Sequence, residues 1–422
     1  MNAGRMTIVL AAGLALAGIY PAFAGAADAP VAAASSASKP LAKEVRVLGE
    51  QVAKKAAAYL RSQQDKATGG WAIPEKGPSF PAITSLVVSG LLTEPGASVQ
   101  DDSVARGVAF VLGKQQPDGG IYDQILPSYN TAISLCMLSK IDTPQAKAAI
   151  KPAQDFLKGL QFGEKANAGA HKESPEVVSK DNPFYGGIGY GSKGRPDVSN
   201  LSWMLEAMHA SGVPGDDEAF QRAIVFLQRT QMLDEVPTKN GVMKVNDQEY
   251  AKGSRQGGFI YSAGAGKEKA GQGETNAGEI EETMDDGTKV SRLRAYGSMT
   301  YAGFKSYLYA DLKRDDPRVL AALAWIKDNY TLKENPGLGM SGYYYYLITF
   351  AKAMRAYGDT DMQVQEESGK MRRTDWREDL IKELATRQKP DGSFEVLDKR
   401  WMETNPVLIT AYSLNALGDA LK

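Results

Sequence analysis

One recurring segment limits the fold more than any other feature of the chain: an apolar-stepped run, then Gln, then a Gly-rich turn, then one bulky apolar residue. Its clearest copy is Val111-Leu112-Gly113-Lys114-Gln115-Gln116-Pro117-Asp118-Gly119-Gly120-Ile121. An early copy reads Tyr59-Leu60-Arg61-Ser62-Gln63-Gln64, followed by Gly69-Gly70-Trp71. A late one reads Leu384-Ala385-Thr386-Arg387-Gln388-Lys389-Pro390-Asp391-Gly392-Ser393-Phe394. A repeat of this size predicts an array of helical hairpins, each too small to bury its apolar face alone.

Val45, Leu48, Val52, Tyr59 and Leu60 recur at three- and four-residue steps, which predicts an amphipathic outer helix ending at Gln63 and stopped by Gly69-Gly70. Residues 83–92 are almost wholly apolar and predict an inner helix buried on most sides. Unit two runs from 102 to 116 with an inner helix at about 130–138. Unit three runs from 145 to 161, resumes at Tyr185-Gly186-Gly187-Ile188 and has its inner helix at about 198–209. Unit four runs from 218 to 231, resumes at Gln256-Gly257-Gly258-Phe259 and has its inner helix at about 298–309. Unit five, 319–329 and 343–354, lacks the terminal Gln and carries Pro336-Gly337-Leu338-Gly339 in place of the double glycine. Unit six, 376–388 and 404–417, recovers the pattern. Six such hairpins predict an all-α (α/α)6 toroid, because an open array would leave the flanks of its end inner helices exposed.

The Gln, Gly-Gly and aromatic spacing resembles the QW-type repeat of squalene–hopene cyclases and protein prenyltransferase β subunits, members of the terpenoid cyclase and prenyltransferase α/α-toroid superfamily. The resemblance covers the chain from about residue 43 to its end and implies toroids of six helical hairpins. Only unit one has Trp at the final position; the others have Ile121, Ile188, Phe259 and Phe394.

The chain has 422 residues and a formal net charge of -1, with no basic stripe, so neither nucleic acid nor an anionic membrane surface is an expected partner. Arg5, an apolar run at 8–19 and Ala22-Phe23-Ala24 predict a signal peptide at 1–24, cleaved after Ala24. The apolar run is shorter than the ~20 residues that span a bilayer, so no membrane span is expected after cleavage. The expected location is periplasmic or secreted. Residues 25–42, rich in Ala, Ser and Pro, predict a flexible tether, and 43–422 a single toroid domain. Cys136 is the only thiol, which excludes an intrachain disulfide. Oligomeric state is not legible.

Insertions at about 162–183 and 232–296 each separate an outer helix from its inner partner, and in a ring these connections share one rim. Long loops in compact domains are usually lids or binding loops, so this rim is the expected mouth, with surface decoration as the alternative. Inner-helix N-termini there favour an anionic ligand group, and Arg195, Arg255, Arg292 and Arg294 precede inner helices. The first inner turns offer Tyr129, Asn130, Asn200, Trp203, Tyr301, Tyr343, Tyr344 and Asn405 as an aromatic cavity lining with polar handles. Such a lining suits an isoprenoid or other apolar ligand, a sugar, or a cation over ring faces; alternatively these aromatics fill the ring's centre.

The resemblance implies two chemistries, and both motifs are missing. Class II terpene cyclases protonate an alkene through Asp-x-Asp-Asp, which this chain lacks. Asp101-Asp102, Asp216-Asp217 and Asp315-Asp316 precede outer helices and read as N-caps, and Asp285-Asp286-Gly287 as a turn. Prenyltransferases hold zinc with Asp, Cys and His, whereas here Ser199 follows Asp197 by two residues, and Thr404 and Asn405 open the last inner helix. The only histidines are His171, a loop residue, and His209, a packing residue, so no metal and no cofactor are expected. Cys136 lacks the Cys-Gly-Glu-Gln context of thioester toroids, Gly264-Ala265-Gly266-Lys267 lacks the Ser or Thr of a phosphate loop, and the acidic run 274–286 lacks a Ca²⁺ loop pattern.

Asp197 is the single catalytic candidate, an acid at the start of the third inner helix whose alternative role is helix capping. The expected function is a ligand-binding toroid that is neither a standard cyclase nor a standard prenyltransferase. The alternatives are an isoprenoid cyclase using Asp197, a polysaccharide-active enzyme pairing Asp197 with Glu403, and a protein-interaction scaffold.

Overall fold

The computed structural model describes residues 39–72, 78–165, 174–191, 194–284, 286–366 and 368–422. The expected signal peptide and most of the tether lie outside these residues. The last tether residues are pinned: Leu41 is buried, and Arg377 donates to the Lys39 carbonyl at 2.5 Å.

The outer helices are α1 (Lys43–Ser62), α3 (Asp102–Leu112), α5 (Pro144–Gly159), α7 (Glu218–Thr230), α9 (Pro317–Asp328) and α11 (Trp376–Arg387). They alternate with inner helices α2 (Pro81–Leu91), α4 (Pro127–Leu138), α6 (Val198–Ala210), α8 (Gly297–Tyr309), α10 (Tyr343–Tyr357) and α12 (Pro406–Leu421). Each inner helix packs on the next, and α12 returns to α2, so the ring is closed. Asn415 on α12 donates to the Leu86 carbonyl on α2 at 2.9 Å, and Arg46 on α1 to Leu421 at 3.1 Å. The inner helices are buried nearly all round, whereas the outer ones bury one stripe, which is the polarity read from their composition.

The recurring Gln is a staple between neighbouring hairpins. Gln161 donates to the Gly186 carbonyl of its own turn and to Ala219 at the start of α7, both at 2.9 Å. Gln231 repeats this with Gly257 at 2.8 Å and Arg318 on α9 at 3.0 Å, and Gln388 closes the circle on Val52 of α1 at 2.9 Å. The first glycine of each turn lets the backbone lie directly on the next outer helix. Gly186 has φ +83°, and a Cβ there would sit 1.9 Å from the Arg222 carbonyl oxygen, so no other residue fits. The bulky residues after the turns, from Trp71 to Phe394, are fully buried. Their amides are satisfied by inner-helix threonines in three units: Thr84 for Trp71, Thr131 for Ile121 and Thr300 for Phe259. Unit five, without its Gln, is joined to unit six by Tyr330 donating to Asp379 at 3.0 Å and by Glu383, which takes Lys333 and the Tyr343 hydroxyl.

The two insertions leave from the same rim. The second folds into two antiparallel hairpins, β1 (Glu235–Thr238) with β2 (Gly241–Lys244) and β3 (Glu279–Thr283) with β4 (Lys289–Leu293). A third hairpin, β5 (Asp361–Gln365) with β6 (Met371–Asp375), links α10 to α11 and so belongs to the opposite rim. Buried Arg229 ties the insertions together, donating to Asp247 and to the carbonyls of Asn182 and Lys180. Among the described residues no helix is long and apolar enough to cross a membrane.

Candidate functional site

At the insertion rim, the inner-helix N-termini and the rim loops enclose a cavity of about 130 Å³. Tyr129 from α4, Ser199 from α6, Ser298 and Met299 from α8, Tyr345 from α10 and Tyr412 from α12 form its helical walls. The connections add Leu126, Tyr190, Tyr261, Tyr296, Gly342, Trp401 and Met402. The second insertion delivers Tyr261 because it is locked to the start of α6. Val198 donates its amide to the Tyr261 carbonyl at 2.9 Å, and the Ser262 hydroxyl donates to Pro196 at 2.6 Å.

Hydroxyls around the cavity pair mainly with one another. The Tyr129 and Tyr412 oxygens are 3.3 Å apart, and those of Ser199 and Tyr345 are 2.8 Å apart. Asn276 donates to the Tyr296 oxygen at 3.3 Å. Of the five non-glycine residues with positive φ among the described residues, Leu126, Trp401 and Met402 line this cavity, and such backbone strain clusters at functional sites. Trp401 and Met402 are 44% and 38% exposed and form its lip. The Trp401 ring lies on Gly342, where a Cβ would meet it at 2.9 Å.

Two buried carboxyls stand behind the walls. Asp197 caps α6, accepting the Asn200 backbone and side-chain N–H groups at 2.8 Å each. Burial pushes it up to about 6, against the lowering effect of these bonds, Arg195 and Tyr261. Glu403 caps α10: one oxygen accepts the Tyr345 amide at 2.8 Å, and the other, Oε2, is buried without a partner. Burial pushes Glu403 up to about 7, although the amides of the first turn of α10 pull the other way. Arg195 lies 4.9 Å over the Tyr261 ring and is paired with both oxygens of Glu274.

Of the cavity residues expected from sequence, Tyr129 is in the walls. Asn130 is turned to the backbone, accepting the Ala82 amide and donating to Ile125 and Leu126. Asn200 serves Asp197 and Ser128. Asn405 caps α12 and donates to Ala72. Trp203 sits one turn deeper, edge-on to Tyr129 at 6.3 Å. Tyr301 packs against Tyr346 and Phe350, Tyr343 donates to Leu332 and Glu383, and Tyr344 donates to Glu395. These seven residues are not in the lining, because their side chains point between helices or into caps. Tyr190, Tyr261, Tyr296, Tyr345, Trp401, Met402 and Tyr412 replace them, and only Tyr345 and Tyr412 lie within an inner helix, where periodicity could have found them.

The expectation of an anionic ligand group also changes. Five of the inner-helix N-termini are filled by the protein itself: α2 by Asn130, α6 by Asp197, α8 by Asn335, α10 by Glu403 and α12 by Asn405. Arg195 is neutralised by Glu274, and Arg292 contacts Met284.

Asp217 and Asp316 cap α7 and α9, whereas Asp101 occupies the cap position of α3 without a cap bond. His209 is exposed and stacks on Tyr309 at 4.6 Å. His171 and Asp285 lie outside the described residues. Among those residues no three His, Cys, Asp or Glu side chains form a group suited to a metal.

The model of the squalene–hopene cyclase C-terminal domain matches residues 76–239. Similar solved structures include a protein from Actinoplanes, at 13% identity over 89% of this chain and 100% of that one, with a TM-score of 0.47. The type II terpene cyclase MstE from Scytonema is 14% identical over 81% of this chain and 98% of that one, with a TM-score of 0.30. A glycoside hydrolase family 76 mannosidase from Bacteroides thetaiotaomicron is 9% identical over 87% and 98%, with a TM-score of 0.40. No curated protein sequence matches the chain.

Proposed function

We propose that this chain, a member of the terpenoid cyclase-like α/α-toroid superfamily, is a ligand-binding protein that takes a small group into the rim cavity through the lip of Trp401 and Met402. One observation carries this reading: six tyrosines from separate helices and loops converge on one hollow, beneath the insertions and beside backbone strain. Packing alone does not require Trp401 and Met402 to be held exposed in a left-handed conformation. At about 130 Å³ the cavity is smaller than the ~300 Å³ of typical ligand pockets, so it suits a head group or the end of a longer molecule. Mass spectrometry of the native protein tests the proposal. A co-purifying small molecule released by Trp401→Leu or Tyr412→Ala supports it, whereas an empty protein that binds only a macromolecule favours a scaffold.

An enzyme is the second reading, favoured by the raised carboxyls Asp197 and Glu403, which hold protons near neutrality. Cyclisation of a linear isoprenoid, or cleavage of a polysaccharide, with loss in Asp197→Asn would replace the binding proposal with this one. The proposal also puts the mature chain outside the cytoplasm, and N-terminal sequencing of protein recovered from the periplasm or medium should begin at Gly25.

A further inference from the structure

The hydroxyl groups on the cavity wall narrow the class of ligand, on the premise that the cavity binds one. The wall is not made of ring faces alone. The phenol ends of Tyr129, Tyr190, Tyr345 and Tyr412 lie close enough to act on one another electrostatically, and Tyr345 acts in the same way on Tyr296. A hydroxyl brings one proton to donate, and a buried donor without an acceptor costs free energy that a bound acceptor would recover.

Part of this donor supply is used within the wall. Ser199 and Tyr345 are joined at 2.8 Å and run on to Ser202, which donates to the Ser199 carbonyl. Tyr190 and Tyr261 are tied to each other, to Asn200 and to Asp197. Other protons are left over. Tyr296 accepts from Asn276 at 3.3 Å and Ser298 from Asn335 at 3.2 Å, and among the described residues neither hydroxyl has an acceptor for its own proton. Tyr129 and Tyr412 share a single hydrogen bond between two hydroxyls, so one of their protons is also spare. All four residues line the cavity.

Spare donors call for an acceptor. An ammonium group offers none, a pure hydrocarbon leaves the protons unpaired, and a sugar adds donors of its own. An anion would accept, but it lacks a counter-ion. Arg195 is spent on Glu274, Arg400 stands at the exposed lip 4.4 Å over the Trp401 ring, and buried Asp197 acts on Tyr190, Tyr296 and Tyr345 with the wrong sign. Leu126, Met299, Trp401 and Met402 make the rest of the wall apolar. We infer that the cavity selects a neutral carbonyl compound, its oxygen turned to the spare hydroxyls of Tyr296, Ser298 and the Tyr129–Tyr412 pair and its apolar body to Leu126, Met299 and the lip. An apolar cavity of roughly 150 Å³ takes benzene, so about 130 Å³ suits a carbonyl on a single ring or on a chain end of like size.

The test compares acetophenone with α-methylstyrene, which has nearly the same shape with a methylene in place of the oxygen, by NMR titration at pH 7. Acetophenone should bind at least about fivefold tighter, the factor that one neutral hydrogen bond supplies. Its carbonyl stretch should lie at lower frequency in the bound state than in hexane, the mark of an oxygen that accepts. Benzylammonium and benzoate should both bind more weakly than the ketone. Tyr296→Phe keeps the ring and removes one donor, so it should weaken acetophenone several-fold and leave α-methylstyrene unchanged. If that variant does not fold, Ser298→Ala should show the same split. An alkene, cation or anion that equals or exceeds acetophenone overturns the carbonyl inference and leaves the binding cavity standing, and so does an unchanged preference in both variants. If no probe binds a protein that carries another small molecule, the inference fails alone. If none binds an empty protein, both readings fail.

Discussion

Lys305 on α8 and Glu206 on α6 form an ion pair sealed from solvent, one side chain 2% and the other 8% exposed. Lys352 on α10 takes the second Glu206 oxygen, and both ammonium groups lie over the Trp203 ring, at 5.2 and 5.6 Å. The layer beneath the tyrosine cavity is therefore charged and not apolar. It joins three inner helices through one carboxylate. Replacing Glu206 with Gln leaves two buried cations without a counter-ion. The expected cost is about 3–5 kcal/mol in urea denaturation, and a loss below ~1 kcal/mol would mean that water reaches the site.

Acid should act on the same pair. Burial by itself would raise Glu206, but Lys305 and Lys352 outweigh it and hold the carboxyl down to about 2. A depressed folded value means that the stabilisation is complete above the unfolded value of about 4.5 and is lost as pH falls from there towards 2. The thermal midpoint of the native protein should drop across that window, and Glu206→Gln should flatten the drop.

Gln231 sits in a buried junction, donating to Gly257 and Arg318 and accepting from the Tyr307 hydroxyl. Gln231→Leu fills similar space but strands two carbonyls and a phenol, so about 2–4 kcal/mol should be lost. Gly186→Ala should cost at least ~3 kcal/mol, since its Cβ would collide with the Arg222 carbonyl and backbone, not with a side chain that can move. Equal stability of either variant to the parent, by chemical denaturation, would refute the stapling role.

These two residues also show why the ring was legible in the sequence. The Gln and Gly recur because each satisfies a backbone constraint repeated around the circle, and such constraints leave a recurring residue type, from which unit five departs in its Gln. The cavity leaves no such mark. Inner helices are buried all round, so the four successive tyrosines 343–346 differ in role without differing in polarity, and only Tyr345 faces the hollow. Tyr190, Tyr261 and Trp401 come from connections with no period to read. The β5–β6 hairpin did leave a short period-two mark, with buried Met362 and Val364 alternating with Asp361, Gln363 and Gln365, but five residues are too few to stand out beside the helical repeat.

Cys136 gives a prediction independent of ligand. It is buried on α4, and burial pushes its thiol up to about 12, with Glu206 adding to the rise. A thiol so protonated is a poor nucleophile. Iodoacetamide should leave it unmodified in native protein at pH 8 and label it fully in denaturant. Rapid native labelling would mean that the ring opens in solution.

The capping carboxyls should give the stability profile a slope opposite to that of Glu206, in a higher pH window. Asp197 moves from 3.8 to about 6 and Glu403 from 4.5 to about 7, both because burial penalises the charged form. In each case the folded state holds its proton after the unfolded chain has released it. Where the folded state binds more protons, stability falls as pH rises, so the decline should run from about pH 4 to about pH 7 and then level off. By its shift each carboxyl adds on the order of 3 kcal/mol to this decline. Glu403→Gln should remove the upper part of the decline and Asp197→Asn the lower part, read as thermal midpoints at half-unit pH steps. An unchanged upper limb in Glu403→Gln would mean that the carboxyl is solvated.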